Sequence, residues 1–525
     1  MPIQPQPESI TLPQYVQEPK ILPVGQWLPD LPDYMNPGVT NIINAQPLSP
    51  MSYGPVPSLQ PVGITGVPSD QQVIGLYHFV DNLGAAHVFA GTTSSLYHLA
   101  LETGNQFVDA TNLNGPYHAD LDAPWDFTAF AESVIAVQIG DQPQIMTIGN
   151  IEFTPITTAP FAKYATVCRG FLVLGNIIEL ADDTSYPYRI HWSALGNANN
   201  FPPIGSVEAI QAQSDINDFR SDLGAITGLA SNLQTADMAI IMEDAIYVGY
   251  YVGTPAIFNF QIVQGAVGCR SPQSIVTHRG YSYFLGLDGY YQFDGTSPKP
   301  IGANKIDRFF FNDLDISFLD RVQGAADPTG KYIYWLYYGS NHNGVNPNKM
   351  LIYNWSLDMW GIANVQAQWI AKSISLGYTM EQLDQFCPPG LGLDGLPFSL
   401  DSPAWKGGAQ GLYAFDANTM FAHLGGPVMQ TTIETMETQP VLGNRCKITS
   451  SRPIIDGSTP TIALGHRNRL EDPVIFNNPT PMNIHGECPQ YASDRYFRAR
   501  VTIPRNTLWS HFQGVEIDFN RTTPR

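Results

Sequence analysis

Charge is scarce in this chain of 525 residues: Asp, Glu, Lys and Arg together make up 14% of it. Basic residues are scarcer still, 26 against 46 acids, which leaves a net charge of -20. Such a balance argues against general nucleic-acid binding through a basic surface, which depends on neutralising phosphates. It leaves open a channel through which nucleic acid slides without sticking. Cysteine is also sparse. Cys168, Cys269, Cys387, Cys446 and Cys488 lie far apart and form no CxxC pair, so they read as free thiols and not as a disulfide framework or zinc site. No apolar run reaches the length needed to span a bilayer. The opening MPIQPQPESI has neither the basic flank nor the apolar core of a signal peptide, so folding in a reducing cytoplasm is expected. P-loop, HExxH and GxSxG signatures are missing. His78, His87 and His98 match no compact metal spacing. The Asp-Gly pairs carry no run of alternating oxygen ligands for calcium. No cofactor is expected.

Turns, by contrast, are abundant, with 46 Gly and 43 Pro. The clearest stretch is 274–301, SIVTHRGYSYFLGLDGYYQFDGTSPKPI. Short apolar runs at 275–277, 281–285, 290–293 and 299–301 alternate with Arg279-Gly280, Asp288-Gly289 and Asp294-Gly295. Strands of three to five residues joined by such turns make a four-stranded antiparallel meander, the rhythm of one propeller blade. A blade cannot bury both faces alone, so it implies neighbours. Looser copies run from about 72 to 427, enough for six or seven blades. Trp192, which ends a strand ahead of the Gly196-Asn197 turn, is expected to pack between adjacent blades.

The predicted organisation is all-β. An extended, proline-rich arm (1–70) precedes an irregular six- or seven-bladed β-propeller (71–427) that carries an insertion near 379–406. A β-sandwich (428–525) closes the chain. The arm holds Trp27, Leu28, Leu31, Tyr34 and Tyr53, too apolar for a solvated tail, and is expected to lie across its own propeller or a neighbouring subunit. Its removal is expected to weaken assembly more than folding. The tail differs in charge, about +2 against about -22 for the preceding 427 residues. In it Arg498 and Arg500 share one strand face, a candidate surface for an acidic partner.

Several places resemble one family. Pro29-Asp30-Leu31-Pro32, Asn36-Pro37-Gly38 and Tyr53-Gly54-Pro55 look like the N-terminal signature of the nozzle proteins of short-tailed bacteriophages. The segment RIHWSALGNANNF at 189–201, with Trp192 and Gly196, looks like their tryptophan-containing blade. The stretch 289–302 looks like their aromatic strand followed by G-T-x-P, and 495–500 with Trp509 and Gly514 like their closing sandwich. The resemblance implies a structural, non-enzymatic subunit of the virion tail. It implies six copies in a ring beneath a portal-adaptor ring, with tail fibres or a distal plug below. Double-stranded DNA would be retained and then passed through without sequence-specific binding. The long insertion and the sparse basic residues depart from the family pattern. A carbohydrate- or receptor-binding tail module is the alternative, with its site in the 379–406 loop, and a glycan-degrading enzyme is a third. The acid excess predicts a lumen lined by acidic and neutral polar groups, with 120–122, Glu243-Asp244 and 313–315 as candidate lining.

Overall fold

The computed structural model of the chain describes residues 19–62, 66–100, 106–265, 267–374, 383, 387, 392–395, 410–457 and 459–521. Nearly all of the 379–406 insertion lies outside these residues. The described chain is all-β, with two short α-helices, Val207–Ala212 and Asp307–Asp313. Six four-stranded antiparallel sheets stand beside a ten-stranded and a six-stranded sheet.

Five of the four-stranded sheets are sequential meanders, covering 73–109, 126–155, 161–218, 226–262 and 276–300. The last has strands Val276–His278, Tyr281–Leu285, Tyr290–Phe293 and Pro298–Pro300. This matches the sequence reading to within a residue at each end. Its first turn works because Arg279 and Gly280 both take positive φ, 51° and 80°, the geometry of a two-residue hairpin between His278 and Tyr281. Arg169 and Gly170 repeat it at 51° and 84° between Cys168 and Phe171. A sixth meander, 323–363, forms one end of the ten-stranded sheet. The seventh unit pairs Ala367–Ile374, Gln410–Asp416 and Phe421–Val428 with Pro57–Pro61 from the arm.

These seven units are packed face to face in chain order. One apolar cluster lies between the first and second, another between the second and third, and so on. The series closes on itself: Tyr413, Phe415 and Phe421 of the seventh unit pack with Val73, Leu76 and Val88 of the first. The first strand of the seventh unit also lies along Val73–Val80. Inner strands are therefore covered on both faces and read as unbroken apolar runs, as in Met238–Met242, where every residue is buried. Trp192 is buried in the cluster between the third and fourth units, as expected. Its ring meets Phe258 edge-on at 5.4 Å and its indole N–H donates to the Gln213 carbonyl at 2.9 Å.

The arm is woven into this body. Lys20–Pro23 pairs with Phe512–Arg521, and Asn41–Ile43 with Thr431–Glu434. Ala45–Ser49 and Ser52–Pro55 form a hairpin that joins the sixth meander, through Ile362↔Ala45, to the C-terminal strands, through Tyr53↔Phe512. The core of the fifth and sixth units runs without a break into that of the C-terminal strands. Residues 20–61 supply five strands, of which one, Pro57–Pro61, completes a four-stranded unit and the other four join the two large sheets.

Tyr53 concentrates this dependence. Its fully buried hydroxyl accepts from the Trp27 N–H at 2.8 Å and donates to the Trp360 carbonyl at 2.9 Å. Burial pushes its phenol well above the usual range, so it stays protonated and able to donate. Tyr53→Phe removes the hydroxyl partner of two buried backbone groups and should cost roughly 2–6 kcal/mol at about 1–3 kcal/mol per orphaned group. Denaturant unfolding measures this directly. A loss below about 0.5 kcal/mol would show that the hydroxyl bridge contributes little.

Candidate functional site

The motif residues singled out in the sequence fall into four structural clusters. In the arm, the Asp30 carboxylate accepts from the Arg308 and Phe309 backbone N–H groups at 3.0 and 2.7 Å, at the start of the helix Asp307–Asp313. Pro29 and Pro32 flank it in a surface recess that Arg308 and Asn312 also line. Asn36 donates to the Leu28 carbonyl and accepts from Gly38 N–H. Pro37-Gly38 crosses so close to Gly25-Gln26 that any Cβ at Gly38 would overlap the Gln26 backbone.

The second cluster is built around Asp307. Gly289 and Gly302 both press on its carboxylate, so a Cβ at either would overlap it, and Tyr290 N–H donates to it at 3.2 Å. Burial pushes Asp307 up to about 7, against the pull of that N–H. Asp288 accepts from the Tyr291 hydroxyl at 2.8 Å. Asp294 accepts from Thr296 N–H at 2.7 Å beside Gly295, whose φ is 102°. Gly196, at φ 71°, is an exposed turn with open space around it.

The third cluster holds the tail arginines. Arg498 and Arg500 do share a face, opposite buried Phe497 and Ala499. They are neutralised within the chain, however: Arg498 meets Asp33 at 2.9 Å and Arg500 meets Glu434 at 2.7 Å. The fourth is the closing strand. Trp509 is buried, and Gly514 is held where a Cβ would crowd the Leu22 carbonyl of the arm.

The acidic loops proposed as lumen lining are also largely paired. Asp122 meets Arg321 at 2.7 Å, Asp244 meets Arg270 at 2.9 Å, Asp313 meets Lys349 at 2.6 Å and Asp315 meets His342 at 3.1 Å. The Asp120 carboxylate closes its own turn by accepting from the Asp122 and Ala123 N–H groups. Of these groups Glu243 and Asp122 line a cavity.

That cavity, of about 620 Å³, is where the first strands of the units converge. Its walls include Tyr77, Asp126, Tyr164, Gly228, Gly324 and Trp369, which come from six of the seven units, and Ile275, just ahead of the remaining one. Across one end, Arg321 reaches Asp122, and the Gln273 side chain donates to the Leu121 carbonyl at 3.3 Å. Both contacts join units that are not neighbours in the series. Sequence reasoning missed Asp126, Tyr164 and Trp369. The available signal was an acid set inside an aromatic strand start, Trp125-Asp126-Phe127. Among the described residues, no three His, Cys, Asp or Glu side chains lie close enough to hold a metal ion. Five arginines outside the C-terminal strands pair with separate aspartates: Arg169 with Asp237, Arg189 with Asp218, Arg220 with Asp222, and Arg270 and Arg321 as above.

No family model and no curated protein matches this chain. Solved structures with some likeness include PorZ, a surface component of the type-IX secretion system of Porphyromonas gingivalis. It is 10% identical over 54% of this chain and 32% of its own, with a TM-score of 0.30. YCF48 bound to a D1 peptide is 9% identical over 59% of this chain and 86% of its own, at 0.34. A chain of the mitotic checkpoint complex is 11% identical over 64% and 89%, at 0.33. The chain thus spans about a third of the length of PorZ. Similarities at these TM-scores carry no argument about fold or function.

Asp307 gives a pH prediction with a definite sign. Its folded-state value of about 7 exceeds the ordinary 3.8, so its contribution to stability is fully present below about pH 4 and is lost as pH rises to about 7. Asp307→Asn keeps an acceptor for Tyr290 N–H and removes the titration. Its stability should therefore fall less between pH 4 and 7.5 than that of the wild type, measured by urea unfolding. Parallel curves would show that the carboxyl does not titrate in that window.

Proposed function

We propose that the chain is a structural subunit of a short-tailed phage tail nozzle. In this reading the seven face-to-face units are the blades of an irregular β-propeller, and the C-terminal strands of the two large sheets are the layers of a β-sandwich. The two parts are bound into one body by the arm. Six copies form a ring beneath a portal-adaptor ring, with fibres or a plug below. The ring encloses part of the conduit that retains and then releases double-stranded DNA, and the protein acts in the virion tail without catalysis.

The observation that carries this reading is where the resembling motifs fall. Pro29 sits where the arm meets the helix after the fifth unit, Tyr53 and Gly514 where it meets the closing strand, Gly38 where the arm crosses itself, and Gly289 against the buried Asp307. Residues placed in this way hold a shape and leave little for chemistry to do. A closed ring further requires one surface of each copy to meet a different surface of the next. A body with a propeller rim and a sandwich at one side offers such a pair.

Native mass spectrometry of the 57.8-kDa chain mixed with its adaptor ring should find six copies per assembly. A density map of that assembly should show seven radial sheets in each subunit. A chain that stays monomeric with the adaptor present would reject the ring.

A further inference from the structure

The capped cavity on the common axis of the seven units has a lining that is poorly explained by packing alone. Its volume, about 620 Å³, falls in the ordinary range of small-molecule sites. Three of the acids that line it, Asp126, Glu243 and Asp320, take part in none of the ion pairs found among the described residues. Arg270, also in the lining, is engaged with Asp244. Lys163 is the other cation of the lining.

The arrangement around Tyr164 is specific. Burial raises its phenol far above the usual range, and the charges of Asp126 and Glu243 both add to the rise. Both carboxyl groups thus lie within electrostatic reach of one protonated hydroxyl in the same cavity wall. Asp126 also acts on Tyr77 across the cavity wall. It is fixed by the Ala165 N–H at 2.9 Å, on the neighbouring unit. The remaining surface is strongly aromatic, with Trp125, Phe127 and Trp369. Carboxylates beside aromatic rings are the chemistry that recognises an organic ammonium group, by charge and by cation–π attraction. A bare metal ion fits less well, because no three ligating side chains come together among the described residues.

We propose that this axial cavity binds a small organic ammonium compound, held by Asp126 and Glu243 against aromatic walls. The inference is independent of the ring reading, since the cavity lies inside a single chain. Asp126 gives it a signature. Burial places that carboxyl at about 7, so near neutrality it is partly protonated. A cation bound beside it favours the ionised form, and the proton leaves to solvent. Binding should therefore release protons near pH 7 and tighten as pH rises from 6 to 8.

Putrescine is a suitable probe, with 1,4-butanediol as its uncharged counterpart, titrated into the full chain by calorimetry in two buffers of different ionisation heat. One site per chain is expected, with proton release. Asp126→Asn and Glu243→Gln should each weaken it about tenfold or more, and butanediol should not bind. Asp183→Asn, at an exposed loop away from the cavity, should leave it unchanged. Circular dichroism checks that each variant is folded; if Asp126→Asn is not, Glu243→Gln and the proton release carry the test. No saturable binding by the wild type at millimolar putrescine overturns the proposal. So does equal weakening by Asp183→Asn, which marks diffuse attraction to an acidic surface. Equal binding of butanediol also overturns it, since the site would then read hydroxyl or apolar groups and not charge.

Discussion

A short four-stranded sheet that is apolar on both faces cannot stand in water, and this single constraint shapes most of the molecule. Each unit here must find a neighbour on either side, so an open row would leave two apolar faces bare. The row closes instead, with Phe415 and Phe421 of the last unit packed on Val73 and Val88 of the first. Closure also settles where the polar groups go. They are driven to the outer turns and to the axis, where the first strands converge and side chains are too crowded to interdigitate fully. The cavity is the residue of that geometry.

The arm answers a second demand of the same kind. The seventh unit has three strands from its own segment and a fourth, Pro57–Pro61, from the start of the chain. A strand bounded by prolines suits this place, because proline cannot donate to a further partner and is confined to sheet edges. Pro47 lies inside the bridging hairpin only beside a register shift between Pro47 and Ser49. The composition that made the arm look irregular is the composition of edge strands and bulges.

What could be read from sequence was what local chemistry decides. The strands at 276–300 were legible because each turn carries its own cause, a glycine or aspartate at a fixed offset. The alternation of Arg498 and Arg500 against Phe497 and Ala499 was legible for the same reason, as a period of two. Their partners were not. Asp33 lies 465 residues from Arg498 in the chain, and no local pattern announces such a pair. The acidic loops were visible as charge, yet charge alone could not say that Asp122 would meet Arg321 or that Asp313 would meet Lys349. Asp307 was hidden in a different way. Gly289 read as a turn residue, whereas it and Gly302 are also small so that a buried carboxyl can sit against them. Asp126 carried the faintest signal, one acid within an aromatic strand.

The pairing of the two chain ends has a consequence for how the protein forms. Lys20–Pro23, the first described strand, lies along Phe512–Arg521, the last. Pro57–Pro61 waits for Phe421–Val428. Neither sheet can be completed until nearly the whole chain is present, and contacts this distant in sequence are slow to form, because loop-closure entropy is lost before burial compensates it. The meanders between them need no such wait, since their strands are neighbours in sequence. The order that follows is local sheets first, closure of the row next, and the arm last, drawn across the finished body. The sheet edges that the arm covers are then the last to be protected, and until that moment they are open to pairing with another chain. A woven terminus thus ties protection from mispairing to the last step of folding.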